Sequence, residues 1–338
     1  KSLKQHVNLS DVPVGLHLSG GIDSTVLASG LVRNNINIDS YTFGFDDKQY
    51  SEEKDAKKIA DIIGISNSLA VLKNSELIGN LEKTLEAEYE PFSSLRVVAN
   101  HYLYKEYKNS KVILDGAGGD EIGSGYSYHL IPWYLDIIKK HSSKKLIKRI
   151  KELIKHINVN KNLDDNDFIL GSIAQYFVPG SSTIDGSNYS NKSLFNFKDT
   201  YLIESIIYDN TKLNSHLRNA QYNDLMHFKL PRSLRYVDRA SMINSTETRV
   251  PFLDHELVEI CISMPSKFKY LKNNQRYVFK YLSRDTGLEK FLMRNKRTIA
   301  DPQTTWLKTI LKDLVADTLL SDSFLSKDLI NHKQLKIY

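Results

Sequence analysis

The stretch Val14-Gly15-Leu16-His17-Leu18-Ser19-Gly20-Gly21-Ile22-Asp23-Ser24-Thr25 decides how the rest of the chain is read. An apolar run stops at a Ser-Gly-Gly turn. An acid and a hydroxyl follow, and a helical pattern then begins with Val26, Leu27 and Leu31. That order is a strand, a tight loop and a helix N-terminus, which together present backbone N–H groups to an anion. Glycines let the backbone approach phosphate oxygens closely, and Ser19 and Ser24 add hydroxyl donors. Gly-Lys-[Ser/Thr] is absent, so this is not a Walker loop, and the lysine that would follow a γ-phosphate is missing. A carboxylate repels bare phosphate, so Asp23 makes sense as a ligand to a Mg2+ that bridges phosphates. The plainer alternative is an ordinary strand-to-helix turn.

Working outward, residues 12–18, 39–45, 68–72 and 111–114 read as short strands. Residues 51–63 read as a helix with Ser51 as N-cap and Glu52 and Glu53 in the first turn, and 95–108 carries a second helical pattern. Strands alternating with helices predict the α/β class, a parallel sheet with helices on both faces. The strand at 111–114 runs into Asp115-Gly116-Ala117-Gly118-Gly119-Asp120-Glu121. Ligands of such sheets bind outside the carboxyl ends of the strands, so both glycine-rich loops are expected on one crevice. Asp120 is then a second Mg2+ candidate, and two carboxylates from separate loops make a metal–pyrophosphate site. Solvated acids in a turn are the alternative. From about residue 130 onward the strand signal fades and helical stretches dominate, broken near 158–166 and 179–192. The second half therefore reads as a helical continuation.

Composition narrows the function classes. Of 338 residues, 41% are hydrophobic and 25% charged, enough for a sizeable core in a globular chain. No uninterrupted apolar window approaches the ~18 residues of a membrane span, and the first residues carry no apolar signal core. A lysine at position 1 points to a chain that is processed, trimmed or taken from a longer polypeptide. The single cysteine, Cys261, excludes an internal disulfide framework and fits a reducing cytoplasm; its apolar neighbours make it a buried structural thiol. The net charge of +6 gathers in Lys139, Lys140, Lys144, Lys145, Lys148, Arg149, Lys151 and Lys155. No aromatic residues interleave them, so they read as the solvated face of a helix whose apolar side is Leu146, Ile147, Ile150 and Ile154, rather than as a nucleic-acid or membrane patch.

Three motifs then occur in order: Ser-Gly-Gly-Ile-Asp-Ser at 19–24, Asp-Gly-Ala-Gly-Gly-Asp-Glu-Ile-Gly-Ser-Gly-Tyr at 115–126, and Asp-Arg-Ala-Ser-Met-Ile-Asn-Ser-Thr-Glu-Thr-Arg-Val-Pro-Phe-Leu-Asp at 238–254. Together they resemble the synthetase domain of glutamine-dependent asparagine synthetases, from the first residues to about Leu307. The resemblance implies an adenine nucleotide alpha-hydrolase-like sheet: residues 1–130 would form the ATP-binding part and 131–338 a mainly helical part completing the site. It implies that ATP, with Mg2+, adenylates a carboxylate, pyrophosphate leaves, and ammonia gives an amide and AMP. Ser19, Gly20, Gly21, Asp23 and Ser24 would hold pyrophosphate, and Asp120 would share the Mg2+ with Asp23. Asp115 and Gly116 would lie along the AMP, with His17 and Phe43 where the family places aliphatic contacts to adenine. Lys296 aligns with the family's catalytic lysine, a fixed cation for charge developing on the α-phosphate and acyl oxyanion. The partners implied are a small carboxylate, ammonia and a glutaminase domain or subunit, with a homodimer left open and no membrane or nucleic acid.

The chain also departs from that family. Alanine stands at 117 where the resemblance expects a glutamate acting as base, and Asp115 replaces a serine. Either Glu247 takes over the proton, or the substrate is not aspartate; Glu247-Thr248-Arg249 also reads as a structural ion pair, a role that suits Arg249 better than Glu247. Around Lys296 the run Arg297-Thr298-Ile299-Ala300-Asp301-Pro302 lacks the family's glycines. Other readings stay open: an amide-forming cyclase of the β-lactam synthetase or lasso-peptide type, a non-catalytic nucleotide-binding homologue, and, resting on the basic segment alone, tRNA modification.

Overall fold

The computed structural model of the chain describes residues 1–90, 92, 94–107, 109–138, 213–271, 274–293, 302–321 and 331. The basic segment 139–155, the expected loops at 158–166 and 179–192, and Lys296 lie outside the described residues. The strands are β1 (Val14–His17), β2 (Asp39–Phe45), β3 (Asn67–Leu72), β4 (Val112–Leu114) and β5 (Glu247–Arg249). They form one five-stranded sheet in the order β3-β2-β1-β4-β5, and every pairing in it is parallel. The helices used below are α1 (Ser2–Asn8), α2 (Ile22–Arg33), α3 (Glu53–Ile63), α4 (Leu77–Glu88), α5 (Arg96–Lys105), α6 (Gly119–Gly123), α7 (Leu130–Ile138), α8 (His216–Met226), α9 (Lys229–Met242), α10 (His255–Ser263) and α11 (Tyr277–Leu282).

Alternation along the strands explains the two layers. Leu16, Leu18 and Leu114 point to one face, where they pack with Leu27, Ala28 and Leu31 of α2 and Ala56, Ile59 and Ala60 of α3. Each leucine or isoleucine among them removed from water contributes about 1.5–3 kcal/mol. The opposite face carries Tyr41, whose ring lies 4.5 Å from that of Tyr107, and Tyr107 meets Tyr104 of α5 edge-on at 5.0 Å. Helices therefore cover both faces, as the alternation of elements predicts.

Two boundaries differ from the sequence expectation. α3 starts at Glu53 with Glu52 as its N-cap; the Ser51 hydroxyl only accepts the Glu53 amide, at 3.5 Å. The helix stops where Gly64 adopts a left-handed φ of 73°. The larger correction is β5. A helical second half was expected, yet Glu247, Thr248 and Arg249 of the third motif add an edge strand to the sheet, and Tyr270–Leu271 pairs with Asn274–Gln275 in a short antiparallel ribbon.

The chain divides into two compact units. The first comprises Lys1–Tyr126 with Gln221–Thr305, the second Ser127–Ala220 with Trp306–Tyr338. The sheet and all three motifs lie in the first. Within the second, the Asp136 carboxylate of α7 accepts from the Ser215 hydroxyl at 2.6 Å and from the amides of His216 and Leu217 at 2.8 and 3.1 Å, capping the start of α8 from a distant part of the chain. Among the described residues no helix is long and apolar enough to cross a membrane.

Candidate active site

The strand order reverses between β1 and β4: β2 and β3 extend the sheet to one side of β1, β4 and β5 to the other. The carboxyl ends of strands at such a switch point form the natural crevice of an open parallel sheet. The loops 19–24 and 115–121 leave from those two ends. The first loop is held by its own hydroxyls. Ser19 N donates to Ser24 Oγ at 3.3 Å, Ser24 Oγ donates to Gly21 O at 3.2 Å, and Ser19 Oγ accepts from Gly21 N at 3.3 Å. No side chain caps α2, whose N-cap is Gly21, and uncapped amides at a helix N-terminus are suited to an anion.

The two candidate metal acids converge. Asp23 Oδ1 lies 2.6 Å and Asp120 Oδ1 2.8 Å from the same atom, Nη1 of Arg276. The arrangement fits Mg2+: two hard carboxylate oxygens aimed at one point, with remaining positions left to phosphate and water. Among the described residues no group of three or more His, Cys, Asp or Glu side chains could hold a metal. Close approach of the loops depends on Gly119, where a Cβ would stand 2.5 Å from Asp23 Oδ1. Gly119→Ala is expected to lose about 1–3 kcal/mol of stability through overpacking, measured by urea unfolding. At Gly79, inside α4 with nothing within 4 Å of an added Cβ, the same change should instead stabilise by up to about 1 kcal/mol.

His17 and Asp115 also meet. His17 Nδ1 is 2.8 Å from Asp115 Oδ2, and Asp115 Oδ1 accepts the Ala117 amide at 2.7 Å. Burial pushes the Asp115 carboxyl up, but the His17 hydrogen bond and charge, the Ala117 amide and Arg96 outweigh it and hold the group below its ordinary value. Phe43 is buried, its ring centroid 6.0 Å from that of His17 and 5.5 Å from Phe45. A Cβ at Gly116 would meet Asp23 Cβ at 3.0 Å and Ser24 N at 3.2 Å, so this glycine lets the second loop lie on the first.

Glu247 is placed differently. The register sets it opposite Val112, two positions before the carboxyl end of β4. Its carboxylate pairs with Arg249 Nε at 2.7 Å and is 56% exposed, and Arg249 Nη1 donates to His6 O at 2.6 Å. Arg249 thus has the structural role open to it in the sequence, tying α1 to β5. Cys261 is buried, and burial pushes its thiol up to about 11 against the opposing charge of Lys269, which leaves it unreactive.

Sequence reasoning missed Arg276. It has a left-handed φ of 55° and is buried. Nothing in Asn273-Asn274-Gln275-Arg276-Tyr277 marks it, because its partners lie some 150 and 250 residues upstream. Glu121 was read as a loop acid, yet it is buried and accepts from Tyr126 Oη at 2.7 Å. Lys280, one turn beyond Arg276, has its amine lowered to about 8 by burial and the neighbouring guanidinium.

The sequence model of asparagine synthase matches residues 1–336. Asparagine synthetase [glutamine-hydrolyzing] 1 of Bacillus subtilis (strain 168) is 27% identical over 95% of this chain and 52% of its own length. Asparagine synthetase [glutamine-hydrolyzing] 3 of the same strain is 24% identical over 92% of the chain and 50% of its own. Amidase chyE of Penicillium rubens is 26% identical over 82% and 47%. The chain thus spans about half the length of the curated relatives it matches. With a match over nearly its whole length, and with the first two motifs meeting at the sheet's switch point and the third supplying an edge strand of that sheet, the chain belongs to the asparagine synthase family.

Proposed function

We propose that the chain is the ligase part of an ATP-dependent amide synthetase. It adenylates a small carboxylate, aspartate or a related acid, releases pyrophosphate, and transfers ammonia to give an amide and AMP. The observation that carries this reading is the convergence of Asp23 and Asp120 beside the N-terminus of α2. An anion-binding helix end alone would suit any phosphate. Two converging acids beside it suit a cation between protein and phosphate, and Arg276 Nη1 lies between them.

In this reading Ser19, Gly20, Gly21 and Ser24 bind pyrophosphate through amides and hydroxyls, and Asp23 and Asp120 hold Mg2+. The bound ion supplies charge neutralisation at the β- and γ-phosphates. Gly116 and Phe43 line the AMP side, and Lys296 provides the fixed cation for the leaving phosphate. Ammonia comes from glutamine through a glutaminase domain or subunit, as the names of the two Bacillus relatives suggest. A single buried cysteine suits a reducing cytoplasm.

Exchange of labelled pyrophosphate into ATP, screened over aspartate, uronic acids and acidic peptides, tests the reading. One acid is expected to support exchange that depends on Mg2+. Asp23→Asn and Asp120→Asn should each lower it by about 100-fold, comparable to loss of one electrostatic group in a preorganised site. If no acid elicits AMP or exchange from the intact protein, the reading is wrong.

A further inference from the structure

We propose that His17, oriented by Asp115, is the proton acceptor of the amide-forming step; this rests on the ligase reading above. In that step the ammonia nitrogen forms a bond to the acyl carbon. The bond from that carbon to the phosphate oxygen breaks, and AMP leaves with the electron pair. The nitrogen must also lose one proton, so an acceptor is required at the carboxyl edge of the sheet.

The groups at that edge separate clearly. Ala117 offers only a methyl. Asp23 and Asp120 converge on Arg276. Glu121 is buried against the Tyr126 hydroxyl, and Glu247 is paired with Arg249 away from the edge. His17 is the last residue of β1, directly before the pyrophosphate loop. Its Nδ1 is held by Asp115 Oδ2 at 2.8 Å, while the other oxygen of that carboxylate takes the Ala117 amide at 2.7 Å. One carboxylate therefore fixes the ring and ties it to the position where a side-chain base is missing. A carboxylate at Nδ1 favours the proton there, so in the neutral ring the lone pair is at Nε2. That Nε2 is buried with no hydrogen-bond partner among the described residues. A buried acceptor without a partner is unfavourable unless a ligand meets it, and an Asp-oriented imidazole with a lone pair at Nε2 is a general base in form. The proton passes on to water as the ring resets.

The test separates the two half-reactions on the 338-residue chain, with ATP, Mg2+, ammonium chloride and the acid that supports exchange in the screen, L-aspartate first. Pyrophosphate exchange reads adenylation, and mass analysis of the amide reads the second step. His17→Gln should lower amide formation about 100-fold more than it lowers exchange, and Ala117→Glu in the same protein should restore part of it. Retained exchange shows that the variant folds. Asp115 is a positioning residue. Asp115→Asn turns an N–H toward Nδ1, so the nitrogen-15 spectrum of the His17 ring should change from the Nδ1–H to the Nε2–H tautomer while amide formation falls. A wild-type ring protonated on Nε2 alone overturns the proposal. So does an equal loss of both half-reactions in His17→Gln, or an effect confined to the KM for ATP; in either case the ligase reading stands. If no acid supports exchange in the wild type, the ligase reading fails and this role fails with it.

Discussion

Arg276→Met is expected to destabilise the metal-free protein by about 3 kcal/mol, and Mg2+ should return much of the loss. The guanidinium is buried, 2% exposed, between two carboxylates that are 22% and 18% exposed. Removing one partner of a buried ion pair typically costs about 3–5 kcal/mol, because the charge left behind has neither partner nor full hydration. Asp23 and Asp120 keep some contact with water, which places the expectation at the lower end of that range. The sign of the metal effect follows from the same geometry. In the wild type Mg2+ must compete with Nη1 for both carboxylate oxygens, whereas in the methionine variant that competitor is gone. A ligand at 100 times its Kd stabilises by about 2.7 kcal/mol, so most of the loss is recoverable in the variant. Thermal melts of both proteins in chelator and in Mg2+ decide the matter. Equal stabilisation of the two by Mg2+ would show that the acids do not share the metal with the guanidinium.

This pairing marks the limit of what the sequence disclosed. β1 to β4 were legible because each is a short run of apolar, aromatic or β-branched residues between turn residues, and two of them end in glycine-rich loops whose chemistry is local. β5 was not. Glu247-Thr248-Arg249 has three residues and no apolar alternation, and it becomes a strand because Asp115 N and Glu247 N find backbone acceptors at Arg249 O and Lys111 O, at 2.9 and 2.8 Å. Arg276 is the same case at the level of a side chain: its meaning comes from tertiary convergence. The His17–Asp115 contact was half legible. Each residue was picked out as a departure from the family pattern, but only the register, which sets β1 beside β4 with Leu16 opposite Leu114, brings the two departures into one hydrogen bond. Glu247 shows the reverse. Its residue type suited a base, while the register sets it away from the carboxyl edge.

Stability should also fall as pH rises from about 4.5 to about 7, through Glu121. Burial raises its carboxyl to about 7 from an ordinary 4.5, the Tyr126 hydroxyl opposes that, and the negative charges of Asp120 and Asp224 add to it. Below about 4.5 the group is protonated both folded and unfolded, and it contributes no pH dependence. Between those values the folded protein holds a proton that the unfolded chain releases, so stability declines with rising pH. Above about 7 the group is ionised in both states and the full cost is present. The difference corresponds to about 3 kcal/mol at ~1.4 kcal/mol per pH unit. Glu121→Gln keeps an oxygen to accept the Tyr126 hydroxyl and removes the titration. The variant should match the wild type at pH 4.5 and exceed it by up to about 3 kcal/mol at pH 8, measured by urea unfolding in chelator. Comparing the two proteins at each pH cancels the titration of every other carboxylate. An advantage of the same size at both pH values would mean that packing, and not the proton, separates them. A consequence reaches the site itself. Part of the upward push comes from Asp120, so Mg2+ bound there should lower the Glu121 carboxyl and shrink the advantage of the glutamine variant. Repeating the comparison with Mg2+ and pyrophosphate present would therefore read occupancy of the Asp23–Asp120 pair through the stability of its neighbour, with no catalytic turnover required.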